Sequence, residues 1–235
     1  MEDIDAIAAL QDPVRRRLYE YVVAQGREVG RNEAAKAAGV ARTLAAHHLD
    51  KLTEVGLLES GSRRLTGRSG PGAGRPAKVY TRARAERAVS LPARDYRTAA
   101  ELLAEAAEQA GLDAGLCAAA RRRGEALRGS AAPCGGLEEA MEMLAARGYA
   151  PHLESAAGIQ DAEGAEVAAG GAPAVVRMRN CPFHAVAERF PPLVCGMNLA
   201  LLQGLFGTDG PVRARMDARP GECCVVVENP KNNLH

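Results

Sequence analysis

Tryptophan is absent from this 235-residue sequence, and aromatic residues make up only 3% of it. A chain so poor in rings offers few platforms for stacking unpaired bases, so any nucleic-acid contact has to rest on something else. Long apolar runs are missing too. The longest, LVCGMNLALLQGLF from Leu193 to Phe206, has the length of a buried helix and is interrupted by Asn198 and Gln203. It is too short to span a bilayer. The opening MEDIDAIAALQDP is acidic and too polar for a secretory signal, so a cytoplasmic chain with no membrane partner is expected. In that compartment six cysteines act as free thiols, metal ligands or redox groups rather than as structural disulfides.

Hydrophobic residues, at 47%, suffice for real cores, and the length suits two domains. The formal net charge of +1 hides an asymmetry. Met1–Arg97 holds 18 Lys and Arg against 12 Asp and Glu, and the remainder holds 12 against 17. A basic front joined to an acidic rear suggests a nucleic-acid-binding module attached to a module with another task.

DPVRRRLYEYVVAQG reads as a helix with Asp12 as N-cap, Pro13 at the first position and Gly26 as the stop. A short helix, Asn32 to Ala38, stops at Gly39, and a second runs from about Ala41 to Val55 before Gly56. Two helices hinged at a glycine form the pattern of a helix-turn-helix. On the second, Leu44, His48, Leu52 and Val55 are expected to face inward, and Arg42, Thr43, Ala46, His47 and Asp50 outward. DNA contacts are therefore expected from Arg42, Thr43, His47 and Lys51, with His48 in the core and Asp50 repelling phosphate. GLLES and AKVYTR then read as two strands around GSRRLTGRSGPGAGRP. This makes a winged helix whose wing carries Arg63, Arg64, Arg68, Arg75 and Lys78 as phosphate contacts.

The rest is expected as two further parts. Residues 91–130 read as a helical linker pairing two subunits, with one helix starting at Pro92 and another ending near Gly129. Residues 131–235 read as an α+β domain of the order αββαββ: LEEAMEMLAARG, YAPHLES, AVVRMRN, the run from Leu193 to Phe206, VRARMDA and CCVVVE. The polar stretch GIQDAEGAEVAAGGAP is expected as a hairpin loop. The whole is thus α+β, with the winged helix-turn-helix over residues 1–90. A two-headed protein suits a palindromic double-stranded site, which favours a homodimer.

CPFHAVAERFPPLVC, Cys181 to Cys195, carries the densest chemistry. Cys181 closes a strand, His184 follows three residues on, and Cys195 stands at the start of a helix whose N-terminal dipole favours a thiolate. Cys223 and Cys224 open the last strand, where alternation would send only one of them to a shared site. Three cysteines with a possible histidine suit tetrahedral zinc or an iron–sulfur cluster with one non-cysteine position. Cys117, among alanines, reads as a small buried residue, and Cys134 lacks a partner at ligand spacing. A cysteine–histidine enzyme is disfavoured, because no third residue orients the pair.

The winged-helix segments ARTLAAHHLDKLTEVGLLE and GRPAKVY, followed by NCPFHAVA, LVCGMNLALLQGL and PGECCVVV, resemble the SufR-like transcriptional regulators, distant relatives of the ArsR and DeoR groups. The resemblance covers nearly the whole chain. It implies a homodimeric repressor of iron–sulfur assembly genes that binds operator DNA best with a 4Fe-4S cluster intact. Implied ligands are Cys181, Cys195 and one of Cys223 and Cys224, with His184 or the second cysteine of the pair as the fourth. Alternative controls on the same head are zinc, thiol oxidation or a small-molecule effector.

Overall fold

The structure is a computed structural model that describes residues 2–63, 76–155 and 174–230. The chain separates into two compact units, Met1–Arg94 and Asp95–His235.

The N-terminal unit begins with α1 (Glu2–Ala9), which no sequence pattern announced, followed by α2 (Pro13–Gln25), β1 (Val29–Gly30), α3 (Arg31–Ala38), α4 (Arg42–Glu54), β2 (Leu58–Arg63) and β3 (Ala77–Arg82). Asp12 caps α2: its carboxylate accepts from the N–H groups of Val14 and Arg15, both at 2.9 Å. That satisfies two donors no helical carbonyl can reach. Gly39 closes α3 at φ 65°, a left-handed conformation that only glycine adopts at little cost, and so sets the turn into α4. The strands pair antiparallel in the order β1-β3-β2, and Leu18, Val22, Leu49, Leu52, Leu58 and Tyr80 fill the core.

The C-terminal unit contains α5 (Tyr96–Gln109), α6 (Asp113–Arg128), α7 (Leu137–Ala145), β4 (Pro151–Ser155), β5 (Ala174–Met178), α8 (His184–Ala187), α9 (Pro191–Phe206), β6 (Arg213–Met216) and β7 (Val225–Glu228). The first helix starts at Tyr96, not Pro92, because the Asp95 carboxylate accepts from the Thr98 N–H at 2.9 Å. The helices expected as a separate linker belong to this unit, with α6 packed along α9. The strands form an antiparallel sheet in the order β4-β5-β7-β6. Helix α9 is buried on nearly every side, since Leu202, Leu205 and Phe206 pack with Leu144, Val176, Met178, Val225 and Val227. The hairpin expected beyond β4, residues 158–173, lies outside the described residues.

Candidate thiol site and nucleic-acid interface

Four cysteines from three segments meet in the C-terminal unit. Cys181 follows β5, Cys195 sits in the second turn of α9, and Cys223 and Cys224 occupy the bend leading into β7. The Sγ atoms of Cys195 and Cys224 stand 2.7 Å apart, in contact but beyond the roughly 2.05 Å of a disulfide. Cys181 hydrogen-bonds with Cys223, and Cys223 lies close enough to Cys195 to oppose its ionisation. Asn198 donates through Nδ2 to Cys223 Sγ at 3.4 Å, and its own Oδ1 accepts from the buried Tyr149 hydroxyl.

Both members of the Cys223–Cys224 pair are therefore engaged, against the expectation of one. They precede the regular strand, so the alternation of a pleated backbone does not apply to them. His184 is placed elsewhere: its ring pairs with Glu188 at 3.2 Å, and its side chain is 65% exposed. Among the described residues no group of three or more ligand-type side chains is drawn to the distances of a single metal ion. Cys134 is buried, with its S–H directed at the Gly136 carbonyl, and so reads as packing.

The four sulfurs divide sharply in acidity. The S–H of Cys181 and, despite burial, the N–H groups of Val225 and Cys224 and the Asn198 amide bring the Cys223 thiol down to about 7. Cys181, as the donor to Cys223 and itself half-buried, is pushed well up. Burial and then the Cys224 thiol push Cys195 up to about 12. The thiolate expected at Cys195 from the helix dipole is thus not favoured. That field fades within the first turn, and Cys195 lies in the second.

In the N-terminal unit, α4 turns Ala45, His48, Leu49 and Leu52 inward, and Arg42, Thr43, Leu44 and His47 outward. Leu44, expected inside, is 42% exposed, because the buried stripe centres on Ala45 and Leu49 rather than one residue earlier. Ala41 before α4 makes no side-chain cap, which leaves the first-turn N–H groups open to a phosphate beside Arg42. Asp50, expected to repel phosphate, is neutralised instead. It accepts from Lys78 at 2.8 Å, from the Tyr80 hydroxyl at 2.7 Å and from Arg31 at 2.9 Å. Lys78 is thereby committed within the fold. Arg31 and Tyr80 were missed in the sequence, where nothing connects positions so far apart. Arg63 pairs with Glu28 at 3.1 Å and Lys51 with Glu54 at 3.0 Å. Surface pairs of this kind are worth less than about 1 kcal/mol, so both cations remain exchangeable for phosphate. Arg64, Arg68 and Arg75 lie outside the described residues.

Residues 10–61, which run from the end of α1 through α4 into β2, match a family described as a helix-turn-helix domain. The chain is a DNA-binding transcriptional regulator. No curated protein and no solved structure matches it. Among the described residues of the regulator, no helix is long and apolar enough to cross a membrane.

His48 gives the regulator's head a pH dependence. It is 6% exposed, and its Nδ1 faces the Arg15 guanidinium at 3.4 Å. Burial first, then Arg15 and His47, lower its pKa against the pull of Asp12. The unfolded chain thus takes up this proton before the folded one, and stability falls as pH drops through about 6.5. Urea unfolding at pH 7.5 and 5.5 should show a loss at the lower pH that His48→Gln largely removes. An equal loss in the variant would assign it to other groups.

Proposed function

We propose that the chain is a cytoplasmic, homodimeric repressor of iron–sulfur cluster assembly genes, controlled by a 4Fe-4S cluster on Cys181, Cys195, Cys223 and Cys224. The observation that carries this reading is the meeting of four thiols from three separate segments in a DNA-binding regulator. The donor set fits: such clusters take four cysteine thiolates. Neighbouring thiols and burial oppose the ionisation of Cys181 and Cys195, and a cationic centre relieves that opposition. His184 drops out of the ligand set.

When bound, the cluster would supply a centre that oxidants or iron shortage dismantle. The chain's own part is mechanical. Cys195 belongs to α9, the central helix of its unit, and the Cys223–Cys224 bend leads into the central strand β7. Sulfurs held together fix helix and strand in one arrangement, and sulfurs released allow another with lower operator affinity. Helix α5 leaves Tyr96, Leu102 and Leu103 at 73%, 61% and 72% exposure, an apolar surface suited to a second copy. No catalytic role is assigned to the thiols.

The test is anaerobic purification followed by a visible spectrum and counts of iron and acid-labile sulfide. A brown protein with about four of each per chain is expected, and none in Cys195→Ser. A protein that stays colourless after anaerobic reconstitution, or full iron in Cys195→Ser, overturns the cluster. The 2.7 Å contact of Cys195 and Cys224 favours one second reading, in which these two sulfurs form a reversible disulfide under oxidation. A mass loss of two hydrogens on peroxide treatment, reversed by a thiol, would then accompany loss of DNA binding. One zinc per chain in a colourless protein would point to zinc on the same cysteines.

A further inference from the structure

A leucine at the front of a DNA-reading helix that takes no part in the core of its own domain needs a reason. Leu44 is the third residue of α4, and 42% of it is exposed. It is absent from the hydrophobic core of the head, where Ala45, Leu49 and Leu52 do the packing. His47 and Lys51 follow it three and seven residues on, so the three form one stripe along the helix. Two members of that stripe suit phosphate or base-edge contacts, and the third has no polar atom at all.

Helix-turn-helix proteins contact base edges with the N-terminal part of the second helix. In the major groove one base-pair feature is apolar, the C5-methyl group of thymine. We propose that Leu44 is a specificity-determining residue that reads thymine, by packing its side chain against the C5-methyl of one thymine in each operator half-site. The proposal rests on the DNA-binding reading of the head and adds to it the base that this helix selects. Water leaves both apolar groups when they meet, and a polar base edge at the same place would be desolvated without a partner. The leucine therefore favours thymine and disfavours cytosine at that position. Removal of one buried methyl group is worth about fourfold in affinity.

The experiment uses the full-length protein, purified anaerobically with whatever iron it holds. A tight-binding duplex is first selected from a random-sequence library. Anisotropy titrations then compare that duplex with versions in which each thymine in turn is replaced by deoxyuridine, which lacks only the methyl group. One replacement per half-site is expected to weaken the wild type about fourfold. In Leu44→Ala the same replacement should cost less than about twofold, and a fresh selection should lose the thymine preference at that position. Leu44→Ala should melt close to the wild-type temperature, because the side chain lies outside the hydrophobic core of the head.

Equal sensitivity to deoxyuridine in wild type and variant overturns the proposal, as does insensitivity of the wild type at every thymine. A clear drop in the melting temperature of Leu44→Ala also overturns it, since the leucine would then be packing. Failure of the wild type to select any sequence removes the DNA-reading role of α4 and this inference with it, an outcome separable from all of these.

Discussion

Gly204→Ala is expected to lower the melting temperature of the C-terminal unit by roughly 10 °C. Helices α6 and α9 cross with glycines facing each other. A Cβ on Gly204 would land on the carbonyl oxygen of Arg121 and 3.0 Å from the Glu125 nitrogen; one on Gly124 would meet the Leu201 carbonyl and stand 2.7 Å from the Leu205 nitrogen. These neighbours are backbone, so no rotamer change makes room, and the helices would have to part. Two opposing effects decide the size. Alanine is the better helix former by about 1 kcal/mol. Overpacking costs about 1–3 kcal/mol where side chains can yield, and more where only backbone can. The clash wins, with a net loss of about 3 kcal/mol. Gly115→Ala is the control, because a Cβ there meets nothing within 4 Å and α6 should gain slightly. Calorimetry on the three proteins checks this, and a Gly204→Ala transition within 2 °C of wild type would mean the crossing is looser than described. Because α9 also carries Cys195, the variant should fail to hold the proposed cluster while its head still binds DNA non-specifically.

Much of this was legible in the sequence where the controlling interaction is local. The Asp12 cap, Pro13, and the stops at Gly26 and Gly39 each act within a few residues, and the helices appear where those signals put them. Leu44 was misplaced because Leu44 and Leu49 cannot both lie on one narrow face, and the pattern alone does not say which is inside. Only the packing of α4 against α2 and α3 settles that in favour of Leu49. Asp50 was misread for a different reason. Its partners Arg31 and Lys78 lie 19 and 28 residues away, and no periodicity joins them. At the thiol site the residue types were legible and the pairing was not. The expectation for Cys223 and Cys224 assumed a regular strand, and the bend before β7 removes that assumption.

Arg177→Met should destabilise the same unit by about 3–5 kcal/mol at pH 7, and it tests what holds the Cys223–Cys224 bend in place. Arg177 alternates with Val176 and Met178 on β5 and looks in sequence like an outward-facing strand residue, yet its side chain is 2% exposed. Its guanidinium meets Glu154 at 2.7 Å, Asp217 at 2.6 Å and Glu222 at 3.7 Å. Without it Glu154 keeps Arg219 and Asp217 keeps Arg215, but Glu222 keeps only His152 at 3.6 Å. Three carboxylates would then crowd one half-buried place with their central cation gone. The bonds from Arg177 and Arg219 hold the Glu154 carboxyl below its ordinary range. A depressed carboxylate pKa stabilises the fold above the unfolded value, and that contribution disappears as pH falls through the folded one. The gap between wild type and Arg177→Met in urea unfolding should therefore be widest near neutrality and narrow below about pH 4. The consequence for the thiols follows from two backbone bonds. Asp217 N–H donates to the Cys224 carbonyl at 2.8 Å, and Cys223 N–H donates to the Met178 carbonyl at 2.9 Å. The bend is thus tied to β5 at Met178 directly and at Arg177 through Asp217. In the variant that second tie is cut, so Cys224 should react faster with a thiol reagent and retention of the proposed cluster should fall, even in dilute denaturant-free buffer where the unit remains folded. Unchanged thiol reactivity alongside the lost stability would make Arg177 a structural residue with no part in positioning the sulfurs.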